Sequence, residues 1–327
     1  MKKYPSTPEG EVRNEELPDL NEEFGKLRLR FLSLNGEPFS TELNRVFESF
    51  EVPEVLLGPP IFRPYGFDRE FAGRVRGWSE DGDVMVLVGD LGANKSEFID
   101  ELVYRPMVVM SSDGRSGCPF FDKHKNRGKV SYLGLQRHLM NGEAAVYFDR
   151  NSMSLGQLRA NISESEPAIR DSEGCVLSLS SLRSSDFPAK SGGGVSGLFI
   201  EEACQLTRYF GISDQSKVLW INGFDEDPSR MNHSADVIAQ LIWYFLDGVS
   251  SRKKDYPIDR SQLVEYAISG IHNLDSVVFY KSKLSGRWWF SLSEGYDPLS
   301  LHACSFRDYK MLCDGEISDR ILRFLDE

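Results

Sequence analysis

A chain of 327 residues with 40% hydrophobic and 27% charged residues has a globular composition, long enough for one large α/β domain and a smaller module. Its formal charge of −12 excludes a general binder of nucleic acid or anionic membrane, because such binding places lysine and arginine at phosphates. No apolar stretch reaches the length of a membrane span, no apolar leader follows Met1-Lys2-Lys3, and the five scattered cysteines form no CxxC pair, so a reducing, cytoplasmic location is expected.

Residues 1–25 are polar and acidic, the composition of a lead-in without a packed core. From 26 to 254 short apolar runs alternate with amphipathic segments. Val84–Val88, Met107–Met110, Ala144–Phe148, Cys175–Leu177 and Val218–Ile221 read as buried strands, because continuous apolar runs of this length suit the centre of a parallel sheet. Ser154 and Gln157 spell a capping box that starts a helix. Glu201–Phe210 reads as a helix closed by Gly211 at its C′ position. Asp236–Val249 is apolar around most of its circumference and predicts a buried or interface helix. Cys175 and Cys204 fall in apolar periodic segments, as small core residues. Strands alternating with helices predict a three-layer α/β/α sandwich on a mainly parallel sheet.

The Gly-rich run Ser191–Gly197 lacks the Lys-Ser/Thr of a P-loop and is expected to be a flexible loop. Arg252-Lys253-Lys254 is expected to be a solvated helix end. From 255 to 327 the pattern changes to a small C-terminal α+β extension. It contains a strand at Ser276–Tyr280, a hairpin continuing through Trp288-Trp289-Phe290, and a helix over Arg307–Leu312. Too small for a large core of its own, it should dock on the main domain, with Trp288 and Trp289 as packing residues.

Three stretches together resemble the ureohydrolase family of arginase, agmatinase and formimidoylglutamase, nearest to a bacterial formimidoylglutamase-like branch with a C-terminal extension. The first is Ser154–Arg159 with Glu166-Pro167, Arg170-Asp171 and Leu182–Asp186. The second is Gly197–Ser213. The third is Ile238–Gly248, with Lys253–Pro257, Phe279–Ser282 and Arg287–Trp289. The resemblance implies an arginase-like fold and the family's two manganese ions, held by carboxylates and imidazoles, with a bridging hydroxide that attacks a guanidinium or formimino carbon.

Carried across position by position, the family's first histidine ligand falls near Gly89. Its Asp-x-His-x-Asp group falls on Asp113, Arg115 and Gly117, and its later aspartate pair falls on Ser178 and Ser180. A substrate-orienting glutamate falls near Asn222 or Gly223. Only Asp113 keeps a ligand in register, and Arg115 puts a fixed cation where a metal belongs. The expectation is therefore a catalytically inactive ureohydrolase-like protein without a cofactor, serving as a scaffold or protein-interaction partner, with self-association in keeping with the family's trimers and hexamers.

Two other readings remain open. One is a hydrolase with a drifted manganese ligand set of Asp90, Asp113 and His124. The other is a small-molecule sensor at the same strand ends, where Arg115 pairs a ligand carboxylate. His138, His233, His272 and His302 lack metal-ligand spacing and are expected at the surface or in partner contacts. Ser178, Ser180 and Ser181 lack a nucleophile elbow and are expected to be buried hydroxyls bonded to backbone.

Overall fold

The computed structural model describes residues 27–56, 58–66, 70–91, 106–113, 130–140, 152–257, 259–271, 274–293 and 295–325. The lead-in and the expected strand Ala144–Phe148 lie outside them. Eight strands form one sheet: β1 (Leu29–Ser33), β2 (Arg63–Pro64), β3 (Val84–Val88), β4 (Met107–Met110), β5 (Val130–Leu135), β6 (Ser152–Ser154), β7 (Gly174–Ser178) and β8 (Val218–Asn222). Their order is β2-β1-β3-β8-β7-β4-β5-β6, paired in parallel. Every residue of β3, β4, β7 and β8 is buried. That explains their uninterrupted apolar runs, since both faces of the sheet are covered.

Successive side chains point to opposite faces, and the two faces have separate cores. On one, Val84, Val86, Leu177 and Ile221 pack with Phe39 and Leu43 of helix α1 (Glu37–Glu48) and with the two long helices described below. On the other, Met85, Leu87, Val176 and Trp220 pack with Phe71 and Val75 of α2 (Phe71–Glu80). Cys175 and Cys204 are buried in the first core, as expected. Helix α3 (Leu155–Ala160) begins with the predicted capping box: Gln157 N donates to Ser154 Oγ at 3.2 Å and Ser154 N donates to Gln157 Oε1 at 2.8 Å. A one-and-a-half-turn helix, α4 (Glu166–Arg170), follows it.

Helices α5 (Ile200–Ile212) and α6 (Met231–Ser250) are the longest and pack against each other. Gly211 is not a C′ residue; it lies inside α5. A Cβ there would fall 2.1 Å from Phe245 O, and one at Gly248 would fall 2.5 Å from Arg208 O. The two glycines are present because the helix backbones meet at that point. Arg252 also departs from the expectation of a solvated end. Its Nε donates to Gly211 O at 3.0 Å and its Nη2 to Ser216 O at 3.2 Å, so it satisfies carbonyls at the end of α5. Burial lowers its pKa to about 10. Lys253 and Lys254 are exposed, as the run predicted.

The C-terminal segment forms an antiparallel sheet in the order β12-β11-β10-β9, from β9 (Leu263–Ile271), β10 (Leu274–Ser282), β11 (Trp288–Ser291) and β12 (His302–Cys304). Helices α7 (Phe306–Cys313) and α8 (Asp319–Leu325) complete it. It docks on α4. Arg170, 5% exposed, donates to Trp288 O at 3.0 Å and Cys304 O at 3.1 Å, and its guanidinium lies 4.2 Å from the Trp289 ring centroid. Next to it Asp171 accepts from Ala303 N at 2.8 Å. Trp288 and Trp289 are both buried, in the packing role the sequence predicted.

Candidate functional site

In open parallel sheets, ligands collect in the crevice outside the carboxyl ends of the strands. Here the neighbouring strands β3, β8, β7 and β4 end in Gly89-Asp90, Asn222-Gly223, Ser178–Ser181 and Ser111–Asp113. The fold thus brings Gly89, Asp90, Asp113, Ser178 and Ser180 to one edge of the sheet. Arg115, Gly117 and His124 lie outside the described residues.

Gly89 has φ +118, and a Cβ built on it would fall 2.2 Å from Asn35 Oδ1. A histidine cannot stand there without displacing Asn35. The Gly89 carbonyl accepts from Trp220 Nε1 at 2.9 Å, which fixes the turn after β3. Asp90 Oδ2 accepts from Gly223 N at 3.3 Å, so this carboxylate is bonded to the end of β8.

The serines behave as a mutual hydrogen-bonding set. Ser178 Oγ and Ser180 Oγ are 2.8 Å apart, and Ser181 Oγ donates to Ser178 O at 2.7 Å. Ser112 Oγ donates to Ser180 O at 3.1 Å, and Ser111 Oγ donates to Asp113 Oδ1 at 3.3 Å. All five hydroxyls belong to buried residues, and buried hydroxyls need such partners.

Lys190 enters the same region. Its Nζ donates to Gly194 O at 2.5 Å, Leu182 O at 2.6 Å and Ser180 O at 3.5 Å. Burial lowers its pKa, and the charge of nearby Asp113 opposes that shift. The Gly-rich run lies across the strand ends: Ser191 N donates to Gly223 O at 2.8 Å and Leu198 N donates to Ser181 O at 2.7 Å. Gly193 has φ +77 and a Cβ there would lie 2.4 Å from Ser180 O, so a side chain would lift the loop from β7. The loop expected to be flexible is therefore tied at both ends, because its backbone supplies partners to the edge of the sheet.

Two amides near these strand ends have buried atoms without partners. Asn222 is fully buried, and neither its Oδ1 nor its Nδ2 has a hydrogen-bond partner. Asn35 Nδ2 donates to Glu226 Oε1 at 2.7 Å while its buried Oδ1 has no partner. Asn35, Lys190 and Glu226 were missed in the sequence. Asn35 precedes the region of resemblance, and the one available signal for Lys190 was its place immediately before a glycine-rich run.

Among the described residues, the strand ends do not offer the donor set of a manganese pair. Neutral hydroxyls replace anionic oxygens, which hard dications require, and an ammonium stands nearby. Among the described residues no group of three or more His, Cys, Asp or Glu could hold a metal. The described histidines lie elsewhere. His138 is exposed, and His233 Nε2 sits 2.8 Å from Asp186 O. His302 is half-buried: it stacks on Phe324 with centroids 3.7 Å apart, and burial lowers its pKa to about 4. No described helix is long and apolar enough to cross a membrane.

The sequence matches no protein-family profile and no curated protein. Solved structures do match. Formiminoglutamase of Trypanosoma cruzi, in an oxidised form with Mn2+, aligns at a TM-score of 0.58 and 13% identity, over 73% of this chain and 96% of that one. Formimidoylglutamase from Bacillus subtilis aligns at 0.53 and 12% identity, over 69% of this chain and 88% of that one. Agmatine ureohydrolase of Thermoplasma volcanium aligns at 0.52 and 13% identity, over 69% and 90%. This chain has the arginase-like fold of the ureohydrolases.

Proposed function

We propose that this chain uses a ureohydrolase framework without binuclear-metal hydrolysis and acts as a scaffold or protein-interaction partner, alone or self-associated. The observation that carries this reading is the occupation of the strand-end crevice by the chain's own groups. Ser178 and Ser180 bond each other, and Lys190 places an ammonium on Ser180 O near Asp113. Asn35 fills the space a ligand side chain at position 89 would need. The serine hydroxyls and the lysine ammonium bond groups of the protein itself, and the ammonium repels a dication.

A second reading is supported by Asn222 and Asn35. Burying an amide without a partner costs roughly 1–3 kcal/mol, so a small polar ligand that bonds the Asn222 amide would recover that loss. A small-molecule sensor at these strand ends fits that unsatisfied amide.

Purified full-length protein, incubated with manganese chloride and then desalted, tests the proposal by elemental analysis and calorimetric titration. Assays with formiminoglutamate and agmatine report turnover. The expected result is no stoichiometric manganese and no product. Two equivalents of bound manganese with turnover would overturn the proposal and favour the drifted set of Asp90, Asp113 and His124. A saturable, metal-independent thermal shift with an amino-acid amide would favour the sensor.

A further inference from the structure

We infer that the outer edge of β9 (Leu263–Ile271) docks the same strand of a second copy of this chain, antiparallel, across a two-fold axis at Ala267. The inference rests on the self-association in the proposed function and names its surface. The C-terminal sheet has two edge strands, β12 and β9. The main domain closes the first: Ala303 N donates to Asp171 and Cys304 O accepts from Arg170. Among the described residues β9 has no such cover.

β9 pairs with β10 in one register, from Leu263 opposite Ser282 to Ile271 opposite Leu274, and Lys283 N donates to Gln262 O at 2.9 Å as the ladder continues. Alternation along an antiparallel strand then turns the backbone of Val264, Tyr266 and Ile268 toward β10 and that of Glu265, Ala267 and Ser269 outward. Among the described residues no hydrogen bond reaches those three outward amides or carbonyls, and all three residues are exposed. Natural edges are blunted by proline, bulges, charges or a covering element. β9 contains no proline and a single charged side chain, Glu265, and its Val, Tyr and Ile favour strand.

Charge and register single out a second copy as the occupant. Two chains of formal charge −12 repel, so they meet closely where each is locally neutral. β9 meets that condition, because Glu265 is held by Arg260 Nε at 2.5 Å and Nη2 at 2.9 Å. An axis at Ala267 sets Glu265 opposite Ser269 of the second copy and Ala267 opposite itself, so no like charges face each other. In that register all three outward residues of each strand fall in hydrogen-bonded pairs. On the other face Tyr266 lies opposite Ile268 of the second copy, an aromatic against a β-branched side chain, which is a favourable cross-strand pair. The two four-stranded sheets then become one.

Sedimentation velocity of the full chain across the micromolar range should show a reversible monomer–dimer equilibrium. Deuterium exchange at residues 265–269 should slow as concentration rises, while exchange in β3 stays the same. Ala267→Pro removes an outward N–H that the β9–β10 ladder does not use. It should weaken association at least about tenfold, as loss of two symmetry-related hydrogen bonds does. Ala267→Glu, at an exposed position, sets two carboxylates against each other across the axis. It should weaken association while the dilute monomer keeps its melting temperature. Arg45→Gln, exposed on α1, should associate as the unsubstituted chain does. A chain that is monomeric throughout that range, or a dimer whose affinity neither Ala267 variant changes, overturns the inference. A monomer with β9 amides protected at every concentration also overturns it, since the chain would then cover the edge itself. Manganese content and turnover judge the proposed function separately, because neither depends on whether β9 pairs.

Discussion

Ser178 and Ser180 stand with their hydroxyl oxygens 2.8 Å apart and both side chains fully buried. A carboxylate introduced at this pair would have no water and little room, since a Cβ on Gly223 would already lie 2.5 Å from Ser178 Oγ. Ser178→Asp should therefore destabilise the fold by about 3 kcal/mol or more, the cost of an uncompensated buried charge. Urea titration with and without manganese chloride measures it, and added manganese should leave the midpoint unchanged.

Lys190→Met tests the ammonium. The variant would leave the carbonyls of Leu182 and Gly194 without their donor, at about 1 kcal/mol or more for half-buried acceptors. Hydrogen exchange should quicken at Gly193–Leu198, while amides of β3 keep their protection relative to global stability.

Arg170→Ala removes the cation between the C-terminal sheet and α4. It leaves Glu166, which lies 3.0 Å from Arg170 Nε, with only the Arg287 ion pair at 3.7 Å, and strands the carbonyls of Trp288 and Cys304. The expected loss is about 2–4 kcal/mol for two buried carbonyls left without a donor, with proteolytic cleavage appearing first between residues 255 and 325. Arg170→Lys should recover only part of it, because an ammonium cannot donate along two directions while lying flat on Trp289.

Acid titration should expose two opposed groups beside each other. Burial pushes the Asp171 carboxyl from 3.8 up to about 6, against the charge of Arg170 and the Ala303 N–H. Burial, aided by Arg323, drives the His302 imidazole from 6.5 down to about 4. For Asp171 the folded chain holds the extra proton between 3.8 and about 6, so its contribution is present at the acid end and lost as pH rises. For His302 the unfolded chain holds the extra proton between about 4 and 6.5, so its contribution is present above and lost as pH falls. The slopes partly cancel. His302→Phe should expose the Asp171 slope, with stability falling as pH rises from about 4 to about 6, measured by urea titration at each pH.

The central strands were legible because full burial on two faces leaves an unbroken apolar signature, as in Val84–Val88. The capping box at Ser154 was legible because both of its residues are local. Gly211 was misread because a glycine near a helix end has two uses, a left-handed cap or a close crossing, and only the position of Phe245 decides between them. Arg252 was misread for a similar reason: its acceptors, Gly211 and Ser216, lie far back in the chain. The positions of Gly89, Ser178 and Ser180 at one sheet edge followed from strand ends, which sequence patterns locate well. What fills that edge did not follow, because Asn35 and Lys190 arrive from separate segments whose contacts are purely tertiary.

The acceptors of Arg170 lie 118 and 134 positions after it in the chain. In a growing polypeptide the last helix of the α/β core ends at Ser250, so that core is fully synthesised before the two carbonyls that Arg170 bonds have been made. During that interval the cation keeps its hydration, and the apolar surface beneath the future Trp288 and Trp289 stays open to whatever else is in solution. Closure of the final sheet is then the last step of biogenesis, and a premature stop before Trp288 would leave a product with a complete-looking core and a permanently wet seam.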